Sequence, residues 1–310
     1  MLALAWMTLF ACSHPVPVAS IGEPTPEVAE DLRYGSQPTD VLDLYTVPDG
    51  VERPVVVFVH GGSWVGGDKD HLDEAPGLVD WFLDRGFAVA APEFRHASRP
   101  PEDDVGLGDM LTDVASAIGW LQEHHTEHGL QERSMVLVGF SSGAHLVSLL
   151  STDPSWLADA GVSKADLAAV VALDVHAYDV PLALELMEGS EVARNQPLIR
   201  HLFGTSLAQQ QALSPSSYVD LPDIPPTLLV SAGPANTAEK KGYVAREASR
   251  IHRDRLEASG HSATHVHLER ASHSSLVLGF GRSGHPPTDA VAELLSSALD
   301  GVGELGEPQP

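Results

Sequence analysis

The feature that most narrows what this chain can fold into is a serine flanked by glycines, Gly139-Phe140-Ser141-Ser142-Gly143, set between segments of two different periodicities. Before it, Met135 to Gly139 is an unbroken apolar run, the pattern of a strand buried on both faces. After it, Ala144 to Leu150 reads as a helix. A serine on so sharp a strand-to-helix turn is held with its oxygen exposed, and the small residues on either side let neighbouring backbones approach. The helix N-terminus adds N–H groups and partial positive charge beside that oxygen. Ser141 is therefore the candidate nucleophile.

The rest of the chain repeats the alternation of strand and helix. Val55 to Val59, Phe87 to Ala91, Ala168 to Leu173, Thr227 to Ala232 and Thr264 to Leu268 read as strands, with Asp40 to Tyr45 as an earlier edge strand. Between them, Leu78-Val79-Phe82-Leu83, Met110-Val114-Ile118-Leu121 and Val291-Leu294-Leu295-Ala298-Leu299 carry apolar residues at helical spacing. Gly86 and Gly129 stand where helix C-caps belong. Such alternation predicts an α/β architecture with a mostly parallel central sheet and helices on both faces. Residues 181–213 break it with a small helical insertion after the sixth strand, expected to cap the site.

Two further segments point to acyl chemistry. His60-Gly61-Gly62-Ser63-Trp64 follows the first strong strand, and its glycines let backbone N–H groups turn toward an incoming carbonyl oxygen. His273, in Ala271-Ser272-His273-Ser274-Ser275, lies in a polar turn between the last strand and the last helix, where a general base would be delivered to Ser141. The chain has 16 histidines, so the position of His273 is more informative than its presence. His60 reads as a loop-holding residue. His145 reads as a packing residue on the face of the Ser141 helix, and Asp68 as an N-cap.

Together with Tyr34-Gly35, Asp43-Leu44-Tyr45, Gly67-Asp68-Lys69, Ala144-His145-Leu146 and Tyr178-Asp179, these motifs resemble the esterase and kynurenine formamidase-like branch of the α/β-hydrolases, the BD-FAE-like carboxylesterases. The resemblance runs from Leu32 to Leu299. It implies the α/β-hydrolase fold and hydrolysis of a small-molecule carboxylic ester, or of an aryl formamide, through an acyl-enzyme, with no metal and no organic cofactor. It also implies that the N–H groups of Gly62, Ser63 and Ser142 form the oxyanion hole. At one place the chain departs from the family. Asn236 stands where the acid after the Thr227 to Ala232 strand would align, and a neutral amide cannot stabilise the imidazolium that forms at the base. Asp174, at the C-terminal end of the Ala168 to Leu173 strand, is the preferred acid. Asp179, Glu239 and a weakened dyad with Asn236 are the alternatives. That gap keeps open a second reading, a ligand-binding pseudo-enzyme with a degraded triad. An aminopeptidase-like hydrolase is a third.

Composition bears on partners and location. With 18 basic and 43 acidic side chains, the formal charge is −25, which repels phosphate backbones and argues against nucleic acid. Residues 1–12 read as a lipoprotein-type signal. A short apolar run ends in Leu9-Phe10-Ala11-Cys12, and Cys12, the only cysteine, would carry the lipid. Residues 13–30 read as a Pro-rich tether, 31–300 as the catalytic domain and 301–310 as a disordered tail. The chain is then expected to be extracytoplasmic and to meet a membrane only through its anchor, in the periplasm or at the cell surface. His124-His125-Thr126-Glu127-His128 contains an H-x-x-E-H pattern. It should lie at the opposite end of the sheet from Ser141, as a solvated helix end.

Overall fold

The computed structural model describes residues 25–99, 102 and 104–299. The signal segment with Cys12, most of the tether and the tail lie outside the described residues. Eight strands form one sheet: β1 (Glu27–Arg33), β2 (Val41–Thr46), β3 (Val55–Val59), β4 (Ala88–Pro92), β5 (Met135–Phe140), β6 (Leu167–Leu173), β7 (Thr227–Ala232) and β8 (Ala263–Leu268). Their spatial order is β1-β2-β4-β3-β5-β6-β7-β8. β1 and β2 pair antiparallel with each other, as do β2 and β4, and every other pair is parallel.

The described helices are α1 (Pro76–Leu83), α2 (Leu107–Glu123), α3 (Ser142–Thr152), α4 (Pro154–Asp159), α5 (Val180–Met187), α6 (Gln196–Phe203), α7 (Leu207–Ala212), α8 (Lys241–Ala258), α9 (Ser275–Leu278) and α10 (Pro286–Ala298). Because successive strand residues face opposite ways, β3 divides its side chains between two cores. Val55, Val57 and Val59 join the layer that includes α2, α3 and α8. Val56 and Phe58 join the layer under α1, α9 and α10. That double burial is why the central strands read as continuous apolar runs rather than alternating ones.

Two differences from the sequence reading concern the N-terminal side. β2 was expected at the edge, yet β1 lies outside it. β1 also takes up Glu27 to Glu30, which the tether was expected to include. β1 is largely exposed and mostly polar, and the described sheet holds it through its pairing with β2. A strand of that kind carries almost no hydrophobic signal. The insertion after β6 is present as α5, α6 and α7, and it begins at Val180.

The strand order places the site. From β3 the chain moves outward to β4, then returns to the other side of β3 as β5, and continues outward through β6, β7 and β8. The direction of winding therefore reverses between β3 and β5. At such a switch point the connections leave the strand C-termini in opposite directions and open a crevice. The loop starting at His60 and the turn at Ser141 both leave the sheet there.

Candidate active site

Ser141 directly follows β5 and caps α3 with φ 55° and ψ −121°, a backbone conformation that costs a non-glycine residue about 1–3 kcal/mol. Two features hold it there. Its N–H donates to the carbonyl of Leu173 at 2.8 Å, and α3 packs tightly against β3. The second contact requires glycine at 143, where a Cβ would lie 2.1 Å from the carbonyl oxygen of Val59.

The facing loop is strained as well. Gly62 has φ 144°, and a Cβ there would sit 1.7 Å from the carbonyl oxygen of Gly66. Ser63 and Trp64 follow with φ 57° and 62°. Among the described residues, the N–H groups of Gly62 and Ser63 donate to no protein acceptor. Ser142 N–H belongs to the first turn of α3, whose amides have no partner within the helix. All three proposed oxyanion donors thus stand at the β3–β5 crevice.

His60 is 1% exposed. Its Nδ1 lies 2.8 Å from the carbonyl of Gly61, its Nε2 lies 3.2 Å from Glu93, and its ring stacks on Phe94. Trp64 is buried. Its indole N–H donates to His145 Nδ1 at 3.2 Å, and its ring meets Phe203 of α6 edge-on. The other nitrogen of His145 donates to the carbonyl of Leu213, at the end of the insertion. This neutral, fully buried ring therefore ties α3, the oxyanion loop and the insertion together. Burial, opposed in part by the Leu213 bond, pulls its pKa down to about 4. Lys69 sits in an acidic nest of Asp31, Asp43 and Asp70, and Asp68 caps the short turn as expected.

His273 follows β8, and its Nδ1–H donates to Asp174 Oδ2 at 2.5 Å. Asp174 follows β6 with φ 57°, and its other oxygen accepts the N–H of Ala232 at the end of β7, at 3.0 Å. The Asp174 side chain is 1% exposed and that of His273 is 31% exposed. Burial alone would raise the Asp174 pKa. The bond from His273, that ring's charge, Lys241 and the Ala232 amide together hold it below the usual carboxylate range. The His273 ring leans on Phe140, the residue before Ser141, at 4.6 Å between centroids. Among the described residues, neither the Ser141 hydroxyl nor His273 Nε2 has a hydrogen-bond partner. Such bonds commonly tighten only once substrate is bound.

The alternative acids are placed elsewhere. Asp179 caps α5 and pairs with Arg255 at 2.5 Å. Asn236 and Glu239 are exposed in the loop after β7. A cavity of about 640 Å³ lined by Asp174 and His273 is also bordered by Lys240, Lys241 and Arg270. The H-x-x-E-H segment follows α2 and precedes β5, at the strand N-terminal side. There His124 stacks on Trp120, and no converging set of metal-ligand atoms forms among its described residues. Two neighbours of the site were missed from sequence. His71 meets Phe140 edge-on, and His176 is half-buried with its pKa lowered to about 4, first by loss of solvent around the ring. Neither sits in a motif that marks it out.

Comparison with known proteins adds family and fold. A family model described as BD-FAE matches residues 42–237. A protein described as a probable isoprenylcysteine alpha-carbonyl methylesterase, from Arabidopsis thaliana, is 31% identical over 125 residues, covering 40% of this chain and 25% of that protein. The chain spans about a quarter of the length of the curated relatives it matches first. The crystal structure of esterase B from Lactobacillus rhamnosus superimposes with a TM-score of 0.69 at 20% identity, covering 89% of this chain and 85% of that one. Esterase 2 of Thermogutta terrifontis, phosphoramylated by tabun, gives 0.64 at 24% identity, covering 92% and 97%. The fold is that of the α/β-hydrolase esterases.

Proposed function

The chain belongs to the BD-FAE family, and from that premise we propose that it hydrolyses carboxylic esters through an acyl-enzyme on Ser141. The observation that carries this reading is the His273–Asp174 hydrogen bond, formed at the rim of the sheet where the strained Ser141 turn faces the Gly62–Ser63 loop. A buried carboxylate fixes the imidazole tautomer, with the proton on Nδ1 and the lone pair on Nε2.

In the forward step Ser141 Oγ bonds to the ester carbonyl carbon while His273 Nε2 takes its proton. The carbonyl oxygen becomes an oxyanion, held by the amides of Gly62, Ser63 and Ser142. As the intermediate collapses, the carbon–oxygen bond to the alcohol breaks and His273 returns the proton to the leaving oxygen. Water then repeats the sequence on the acyl-enzyme, releasing the acid and restoring Ser141. Asp174 stays ionised throughout and stabilises the imidazolium. The relative from Arabidopsis and the two esterase structures support esters as the substrate class over aryl formamides.

Hydrolysis of short p-nitrophenyl esters tests the proposal. Ser141→Ala is expected to lower kcat by about 10⁶, the cost of deleting such a nucleophile, and to abolish labelling by a fluorophosphonate. Equal rates in the two proteins would leave the ligand-binding pseudo-enzyme as the reading.

A lipid anchor at Cys12, and with it an extracytoplasmic location, belongs to the same proposal and rests on the Leu9-Phe10-Ala11-Cys12 pattern. Metabolic labelling with palmitate should mark the wild type and not Cys12→Ser. Label in both proteins, or in neither, would remove the anchor.

A further inference from the structure

We propose that His60, Glu93 and His96 form a binding site for a zinc-like divalent metal ion, beside the oxyanion loop and separate from the Ser141–His273 pair. β3 and β4 are parallel neighbours, and His60 and Glu93 are the first residues beyond their C-terminal ends. Both side chains therefore leave the sheet at one rim, and His96 follows three residues later. One ligand atom from each of the three residues lies within 4.8 Å of the other two.

The two spacings to Glu93 fit a tetrahedral ion. Glu93 Oε1 is 3.2 Å from His60 Nε2 and 3.5 Å from His96 Nε2. Ligands held at about 2.0–2.1 Å around a tetrahedral zinc stand about 3.3–3.4 Å apart.

Proton accounting points the same way. A carbonyl can only accept, so the 2.8 Å contact between His60 Nδ1 and the Gly61 carbonyl places the ring proton on Nδ1. The second nitrogen, Nε2, meets a carboxylate oxygen at 3.2 Å, a contact that needs either a second ring proton or a cation. His96 Nε2 is a buried atom with no hydrogen-bond partner, and it faces the same oxygen. Three possible ligand atoms thus converge on one point, which a metal ion can hold together in place of ring protons. A histidine that binds a metal through one nitrogen commonly gives its other N–H to a carboxylate or backbone carbonyl, as His60 does here.

The ligands are already positioned. The N–H groups of Phe94 and Lys69 donate to Glu93 Oε1 and Oε2 at 2.8 and 3.1 Å, and the His60 ring is stacked on Phe94 at 4.3 Å. Two imidazoles and one carboxylate suit zinc and its neighbours over calcium or magnesium, which prefer all-oxygen shells. An ion here touches none of the reacting atoms. It would act through His60 and Gly61 to hold the oxyanion loop.

Full-length protein stripped with chelator and titrated with Co²⁺, read by the visible absorption of tetrahedral cobalt, and with Zn²⁺ by calorimetry, tests the site. The expected result is about one saturable equivalent, displaced from cobalt by zinc. The outer partners of a metal site alone are worth about 10- to 100-fold in affinity, so loss of a direct ligand in His96→Ala or Glu93→Gln should weaken binding by at least that factor. His124→Ala should leave it unchanged. His96 is partly exposed, so its replacement carries the test even if Glu93→Gln fails to fold. Absence of saturable binding, or equal affinity in wild type and His96→Ala, would overturn the proposal and leave a proton-bridged cluster.

Discussion

Two histidine–carboxylate pairs stand on the same rim of the sheet, and they commit opposite nitrogens. His273 spends Nδ1 on the buried Asp174 and keeps Nε2 without a protein partner, with 31% of its side chain exposed. His60 spends Nδ1 on its own loop and turns Nε2 onto Glu93, in a ring that is 1% exposed and stacked on Phe94. The functional groups are the same and the placement is not. A base must offer an accessible lone pair, and only the first arrangement does. Contact between a histidine and a carboxylate is therefore no sign of proton transfer unless the other nitrogen is free.

The largest effect that can break this comparison comes from the carboxylate of the first pair. Asp174→Asn should keep the geometry and cost about 10⁴ in kcat, because the amide no longer favours the imidazolium. Asp179→Asn and Glu239→Gln should stay within a few-fold of wild type in the same ester assay. Full activity in Asp174→Asn, with loss in either of the others, would move the acid elsewhere.

A smaller effect concerns His145, which resembles His60 in being buried with both nitrogens engaged. Its folded pKa of about 4 lies below the ordinary histidine value of 6.5. Between those values the unfolded chain takes up a proton that the native state refuses. Its contribution to stability is thus complete above pH 6.5 and is lost as the pH falls toward 4. The slope is at most about 1.4 kcal/mol per pH unit for one such proton. Urea unfolding at several pH values from 7.5 to 4.5 should show a shallower acid slope for His145→Gln than for wild type. Parallel slopes would mean that this ring does not carry the linkage.

How much was legible from sequence varied by element. The central strands and the Ser141 turn announced themselves, since burial on both faces and a glycine-flanked serine leave local marks. β1 did not, because the sheet holds it mainly by backbone pairing. Glu93 and His96 lie in an ordinary stretch after β4, and nothing in their spacing relates them to His60, 33 residues earlier. The H-x-x-E-H segment shows the reverse, a pattern with strong local spacing and no converging partners among the described residues.

The sequence by itself determined the α/β alternation, the Ser141 turn and the glycine-rich loop, because backbone conformation and strand burial depend on neighbours a few residues away. Only the tertiary structure decided which acid faces His273. Asp174 and His273 are 99 residues apart in the chain. They meet because β6, β7 and β8 lie side by side, with strands spaced about 4.8 Å apart, and because Ala232 at the end of the middle strand fixes the carboxylate that reaches across.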